Sequence, residues 1–213
     1  MNANLRRRLL AILGSALIAT PVRGANLLPN PGFATDLSGW ILSGGMWSML
    51  DSGGALDSGS AEIQNTNAGV SNGIRTCVPV QPGLSYDYGA KQFTASGQPS
   101  NGYAEIALRW YADPSCTQYI YLVNPTLTSS ALDAWTEFSG SAVSPANAEG
   151  AILSLYNTKP DGAPLQLFTV NIDDAFLPEP DPGALQLSAV LALVALRRRS
   201  AHASTRARSW RFR

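Results

Sequence analysis

One histidine occurs in 213 residues, and it is His202, close to the C-terminal end. That scarcity excludes a Ser–His or Cys–His nucleophile pair and a histidine-built metal centre from the rest of the chain. Lysine is nearly as rare, with Lys91 and Lys159 alone. Cys77 and Cys116 are the only cysteines, too few for a thiolate metal cage. Between the two ends there is no long stretch with apolar residues at helical spacing, so a helical domain is not expected. With no nucleophile motif and no cluster of metal ligands either, the chain reads as non-enzymatic.

The arginines are segregated. Arg6, Arg7, Arg8 and Arg23 lie at the N-terminal end, and seven more lie from Arg197 to Arg213. The stretch 25–177 keeps Arg75, Lys91, Arg109 and Lys159 against thirteen Asp and Glu, a net charge of −9. Binding to a phosphate backbone needs clustered Lys and Arg, so no nucleic acid is expected as a partner of this stretch.

Residues 1–24 have the layout of a signal peptide: three arginines, an apolar run from Leu9 to Ala19, and small residues around Gly24. Cleavage is expected after Gly24, an uncleaved anchor being the alternative. An exported chain meets oxidising conditions, so Cys77 and Cys116 are expected to pair, with free thiols as the alternative. On the loop-entropy model such a bond contributes roughly 4 kcal/mol.

A second signal lies at the other end. Residues 178–183 form a proline-rich linker, residues 184–196 an apolar stretch expected to be helical, and residues 197–213 a basic tail opening on Arg197-Arg198-Arg199. An apolar helix stopped by arginines is laid out like a membrane stop with its positive end in the cytoplasm. Thirteen residues reach about 20 Å against a hydrocarbon core of about 30 Å, which suits transient membrane contact. Pro178-Glu179-Pro180, the apolar helix and the arginines together resemble the bacterial PEP-CTERM sorting tails. That resemblance implies sorting and processing machinery as a partner, and delivery to the cell surface or matrix. The 14 residues past Arg199 are a departure from it.

The middle, 25–177, is rich in Gly, Ser, Thr, Asn and Pro, with short β-type runs between turn signals such as Pro82-Gly83, Ser96-Gly97, Asn101-Gly102 and Asp161-Gly162. It reads as all-β, a single β-sandwich or jelly roll. Strands are expected at 61–64, 73–79, 85–93, 104–111, 119–123, 134–139, 151–156 and 168–176. Alternation assigns Ile106, Leu108 and Trp110 to the core, and Glu105, Ala107, Arg109 and Tyr111 to the opposite face. It likewise sets Tyr119 and Tyr121 on one face and Ile120 and Leu122 on the other.

Five blocks resemble, in order, the carbohydrate-binding modules of families 4, 9 and 22, galactose-binding-like jelly rolls. They are Asn26–Phe33 with Trp40; Val78–Tyr86 with its Pro-Gly turn; Ala104–Tyr111 with an Asp-Pro turn after it; Trp135 followed by Ala151–Leu155; and Val170–Leu177. The resemblance implies that Phe33, Trp40 and Trp135 enter the core. It also implies a structural calcium near Asp173 or Asp174, with backbone oxygens of Asn30–Phe33, although Ala34 stands where the family usually has Glu. Two neighbouring carboxylates on a regular strand point to opposite faces, so Asp173 and Asp174 are not expected to act together as acid and base.

Sugar recognition needs aromatic faces and planar polar side chains in a shallow groove. The candidates are Arg109 with Tyr111 and Glu105, then Tyr119 and Tyr121, and Trp47 with Tyr103 as a rim. The expected function is an exported, non-catalytic carbohydrate-binding module with a polysaccharide or glycan partner. The alternative is a structural or adhesive surface protein built on the same fold without sugar binding.

Overall fold

The computed structural model describes residues 24–53 and 58–180. The bulk of the signal peptide, the apolar segment 184–196 and the basic tail 197–213 lie outside the described residues. Eleven strands are formed: β1 (Ile41–Ser43), β2 (Gly45–Ser48), β3 (Ser60–Asn65), β4 (Ser71–Pro79), β5 (Ser85–Phe93), β6 (Tyr103–Tyr111), β7 (Tyr119–Leu122), β8 (Leu127–Ser129), β9 (Thr136–Val143), β10 (Gly150–Thr158) and β11 (Phe168–Phe176).

All pairings are antiparallel, and they make two sheets. One runs β1-β4-β10-β6-β7, with β8 also paired to β6; the other runs β2-β3-β11-β5-β9. Period-2 alternation explains why the sheets face each other. Ile74, Thr76 and Val78 of β4, Ile106, Leu108 and Trp110 of β6, and Leu153 and Leu155 of β10 are buried against Ile63 of β3, Tyr86, Tyr88 and Ala90 of β5, and Val170 and Ile172 of β11. The jelly roll is thus all-β among the described residues.

All eight expected strands form, some longer than anticipated. Three were not anticipated: β1, β2 and β8, which are three or four residues long and lie at or near sheet edges. Gly44 separates β1 from β2 and has φ +96°, a conformation open to glycine and little else. There the chain leaves one sheet and enters the other.

The segment before β1 closes one end of the sandwich. Phe33 is fully buried and lies 5.5 Å from the ring of Trp40, whose indole donates to Pro29 O at 2.9 Å. Asn26 pairs with Pro178, Leu27 N donates to Leu177 O at 3.0 Å, and Ala175 N donates to Pro31 O at 2.9 Å. The opening segment therefore joins the closing strand. Backbone pairing continues to Glu179, whose N donates to Ala25 O at 2.8 Å.

Trp135 departs from expectation. It precedes β9 rather than entering it, is half-buried, and packs against Phe93 at 5.7 Å. Phe138, three residues on, takes the core position of that strand. The disulfide between Cys77 on β4 and Cys116 in the β6–β7 loop is formed. That loop is folded on Asp113, which accepts bonds from the backbone N of Thr117 and Gln118, and these bonds hold its carboxyl below the ordinary value although burial opposes the shift.

Candidate functional site

The outer face of the six-stranded sheet is built row by row from its register. Cross-strand partners share a face, so one row reads Ser43, Gly73, Tyr156, Glu105, Thr128 across β1, β4, β10, β6 and β8. The next reads Ile41, Arg75, Ser154, Ala107, and the third Cys77, Ile152, Arg109, Leu122. The fourth ends on Tyr111 and Tyr119, whose rings meet edge-on at 5.8 Å. These rows bring together four of the expected residues: Glu105, Arg109, Tyr111 and Tyr119.

Arg109 does not project freely. Its Nη1 donates to Ser154 Oγ at 3.1 Å and to Tyr156 Oη at 3.3 Å, and the guanidinium lies 5.9 Å from the centre of the Tyr156 ring. Glu105 Oε2 accepts a 2.7 Å bond from Thr158 Oγ1. Toward the β1 edge a cavity of about 250 Å³ is lined by Ile41, Leu42, Ser43, Gly73, Arg75 and Tyr156 among others. Gly73 is required there: a Cβ would collide with the Leu155 carbonyl oxygen and stand 2.6 Å from the Tyr156 ring. At the far corner Tyr103, Thr128, Ser129 and Ser130 line a second hollow of about 330 Å³. The Tyr103 phenol is pushed up from its ordinary pKa by burial first and by the charge of Glu105 second.

Tyr156, Arg75 and Ser154 were missed in the sequence reading. The signal was present, since Ser154 and Tyr156 alternate with the core residues Leu153 and Leu155. Two expected residues lie elsewhere. A register shift between Trp110 and Tyr111 breaks the alternation of β7, so Tyr121 pairs with the core residue Trp110 while Tyr119 pairs with Tyr111. Trp47 belongs to β2 at the edge of the other sheet, where its indole donates to Phe33 O at 2.8 Å.

Asp173 and Asp174 form a separate cluster, and here the structure corrects the expectation of opposed side chains. A register shift follows Asp173, and Asp174 adopts φ +47°. Both carboxylates consequently meet Ser52: its N donates to Asp173 Oδ2 at 3.0 Å, and its Oγ to Asp174 Oδ2 at 2.7 Å. Lys91 Nζ is 2.8 Å from that same Asp174 oxygen. Burial raises the Asp173 carboxyl above its ordinary value, outweighing the bonds it accepts from Ser52 and Asp174. Burial also acts to raise Asp174, but the bonds from Lys91 and Ser52 hold it below its ordinary value.

Calcium takes six to eight oxygens, several of them anionic. Here Asp173 Oδ1 and Oδ2 already accept backbone N–H groups, and the ammonium of Lys91 is the cation at Asp174. Among the described residues no group of three or more Asp, Glu, His or Cys side chains is placed to hold a metal. The cluster as arranged does not fit a calcium cage. Nor does it make a Ser–Lys nucleophile, although Lys91 Nζ lies 3.4 Å from Ser52 Oγ. The bond to Asp174 raises the Lys91 pKa and keeps it protonated, unable to serve as base.

No family model matches the chain, and no curated protein matches it. Solved structures do. The enzymatically active domain of tailspike protein 4 of bacteriophage CBA120 aligns with a TM-score of 0.56 at 11% identity, over 71% of this chain but 21% of that one. A family 16 carbohydrate-binding module aligns with a TM-score of 0.52 at 15% identity, over 71% of this chain and 99% of the module. The family 22 xylan-binding module of Paenibacillus barcinonensis gives 0.50 at 10% identity, over 67% and 92%. The fold is a jelly roll of the carbohydrate-binding-module type. Those two modules are matched over nearly their whole length, whereas the tailspike match covers about a fifth of that chain.

Proposed function

We propose that this chain is an exported, non-catalytic carbohydrate-binding protein of the bacterial cell surface or extracellular matrix, and that it holds a polysaccharide across the outer face of its six-stranded sheet. One observation carries the reading. Tyr103, Tyr111, Tyr119 and Tyr156 share that face with Arg75, Arg109 and Glu105, which combines ring surfaces for stacking with planar polar groups for hydroxyls. Catalysis is disfavoured by the same face. Glu105 is the one acidic residue in all six strands of the sheet, and glycoside hydrolysis takes two converging carboxyls. The segment 1–24 and the PEP-CTERM-like segment after Leu177 support export and sorting through their sequence.

The test is affinity electrophoresis of the full chain through gels containing xylan, galactan, β-glucan or pectin. At least one polysaccharide is expected to retard it. Tyr156→Ala and Tyr111→Ala are each expected to weaken that binding about tenfold, the loss of one stacking platform. Retardation by no plant, algal or bacterial polysaccharide would sink the proposal. The structural or adhesive alternative draws on a different feature. Ile41, Leu42, Met46, Met49 and Leu50 are exposed on and beside the edge strands β1 and β2, where unpaired backbone and apolar side chains favour self-association. Concentration-dependent assembly without glycan binding favours that reading.

A further inference from the structure

The stretch 25–177 carries −9 overall and only four basic side chains. Two of these are engaged away from the sheet face. Lys91 is paired with Asp174. Lys159 is buried, with its ammonium donating to Pro164 O at 2.6 Å and Gln166 O at 2.7 Å. The other two, Arg75 and Arg109, lie on the same outer face of the six-stranded sheet.

Ser154 on β10 links their positions: it is the direct cross-strand partner of Arg75 on β4, and the Arg109 guanidinium reaches over from β6 to bond its Oγ. Neither is neutralised: the partners of Arg109 are the hydroxyls of Ser154 and Tyr156, and among the described residues the one ion pair is Lys91–Asp174. Glu105, the single carboxylate of the sheet, forms no ion pair with either arginine and is bonded to Thr158 Oγ1. Two cationic side chains on one face, neither paired to a carboxylate, attract an arriving anion, and the planar guanidinium fork matches a carboxylate or sulfate in shape. Arg75 and Tyr156 line the 250 Å³ cavity beside them, which sets an aromatic face next to the positive spot.

We infer that the sheet face selects a polysaccharide bearing an anionic group, a uronate carboxylate or a sulfate ester, bound between Arg75 and Arg109 with its ring against Tyr156. The inference rests on the carbohydrate-binding reading and names the class of sugar.

The test compares polymers of one backbone that differ in charge, with the full chain titrated calorimetrically. De-esterified polygalacturonate is set against its methyl ester, and a sulfated galactan against its desulfated form; the pair that discriminates tells carboxylate from sulfate. The charged member of one pair is expected to bind at least about tenfold tighter, as for hydrogen bonds made to a charged group, and to weaken as sodium chloride is raised. Arg75→Gln, at an exposed position, and Arg109→Gln are each expected to erase the preference, and Arg109→Lys to restore part of it. The terminal arginines are unchanged in these variants, so a preference that survives both glutamine substitutions arises outside the sheet and overturns the inference. Equal binding of charged and neutral polymers overturns it too while leaving the carbohydrate reading standing. Absence of binding to every polymer overturns both.

Discussion

Lys91 Nζ stands 2.8 Å from Asp174 Oδ2 where the register of β5 against β11 breaks. The pair joins two strands whose regular ladder is interrupted at that point. Its side chains are 36% and 49% exposed, so solvent screens it and its contribution is about 0–1 kcal/mol. The sign with pH follows from the two shifts. Asp174 is lowered, so its stabilisation is present above the ordinary carboxyl value of 3.8 and is lost as pH falls through the depressed one. Lys91 is raised, so its share is present below 10.5 and is lost as pH climbs through the elevated value. A Lys91→Ala, Asp174→Ala double-mutant cycle by urea denaturation is expected to give a small favourable coupling at pH 7 that shrinks as the pH is lowered through the acid range.

Asp173 behaves in the opposite sense. Its carboxyl is raised by burial, so the stability tied to it is full below 3.8 and declines as pH rises through the folded value. Asp173→Asn removes that decline. The difference in unfolding free energy between variant and parent is expected to move in the variant's favour from pH 3 to pH 7, and a shift the other way would refute the assignment.

Because an ammonium already occupies the cation position beside Asp174, neither added calcium nor a chelator is expected to move the melting temperature. Differential scanning calorimetry of the full chain in calcium and in EDTA checks this; a calcium-dependent rise would show that Lys91 yields its place.

The disulfide spans a sequence separation of 39. The double substitution Cys77→Ser, Cys116→Ser is expected to cost roughly 2–4 kcal/mol, read as a lowered urea midpoint with an unchanged fold by circular dichroism. Oxidised parent and reduced parent should differ by the same amount.

Trp110 fills the core with no exposed surface, 5.8 Å from Tyr86, and its indole N–H has no hydrogen-bond partner. An unsatisfied buried donor costs about 1–3 kcal/mol. Trp110→Phe trades lost ring volume for relief of that donor and is expected to cost under about 1.5 kcal/mol. Trp110→Ala opens a cavity and is expected to cost about 3–5 kcal/mol. Denaturant titration of both variants separates the two terms.

Much of the fold was legible because burial leaves a period-2 trace in the strands. Leu153 and Leu155, or Ile106, Leu108 and Trp110, identify their inner face without any coordinates. Short edge strands leave no such trace: β1 exposes all three of its residues, so Ile41–Ser43 reads as turn. Irregular pairing misled the reading in two places. The shift beside Trp110 parted Tyr119 from Tyr121, and the one after Asp173 turned Asp174 back toward Ser52. Arg109, Tyr111 and Glu105 were found because they alternate on one strand. Arg75 and Tyr156 join them only through cross-strand register, a property of pairing between segments far apart in the chain.

The bridge between Asn26 and Pro178 has a mechanical consequence. Both ends of the jelly roll leave from one point, so tension applied through the flanking segments loads the Leu27–Leu177 and Ala25–Glu179 bonds first. They open one after another, as a zip does. The same adjacency lets the module be grafted into a loop of another protein with little spreading of the host. A short join from Pro178 to Asn26, reopened at the exposed β5–β6 turn beside Gly97, would give a circular permutant with its sheets intact.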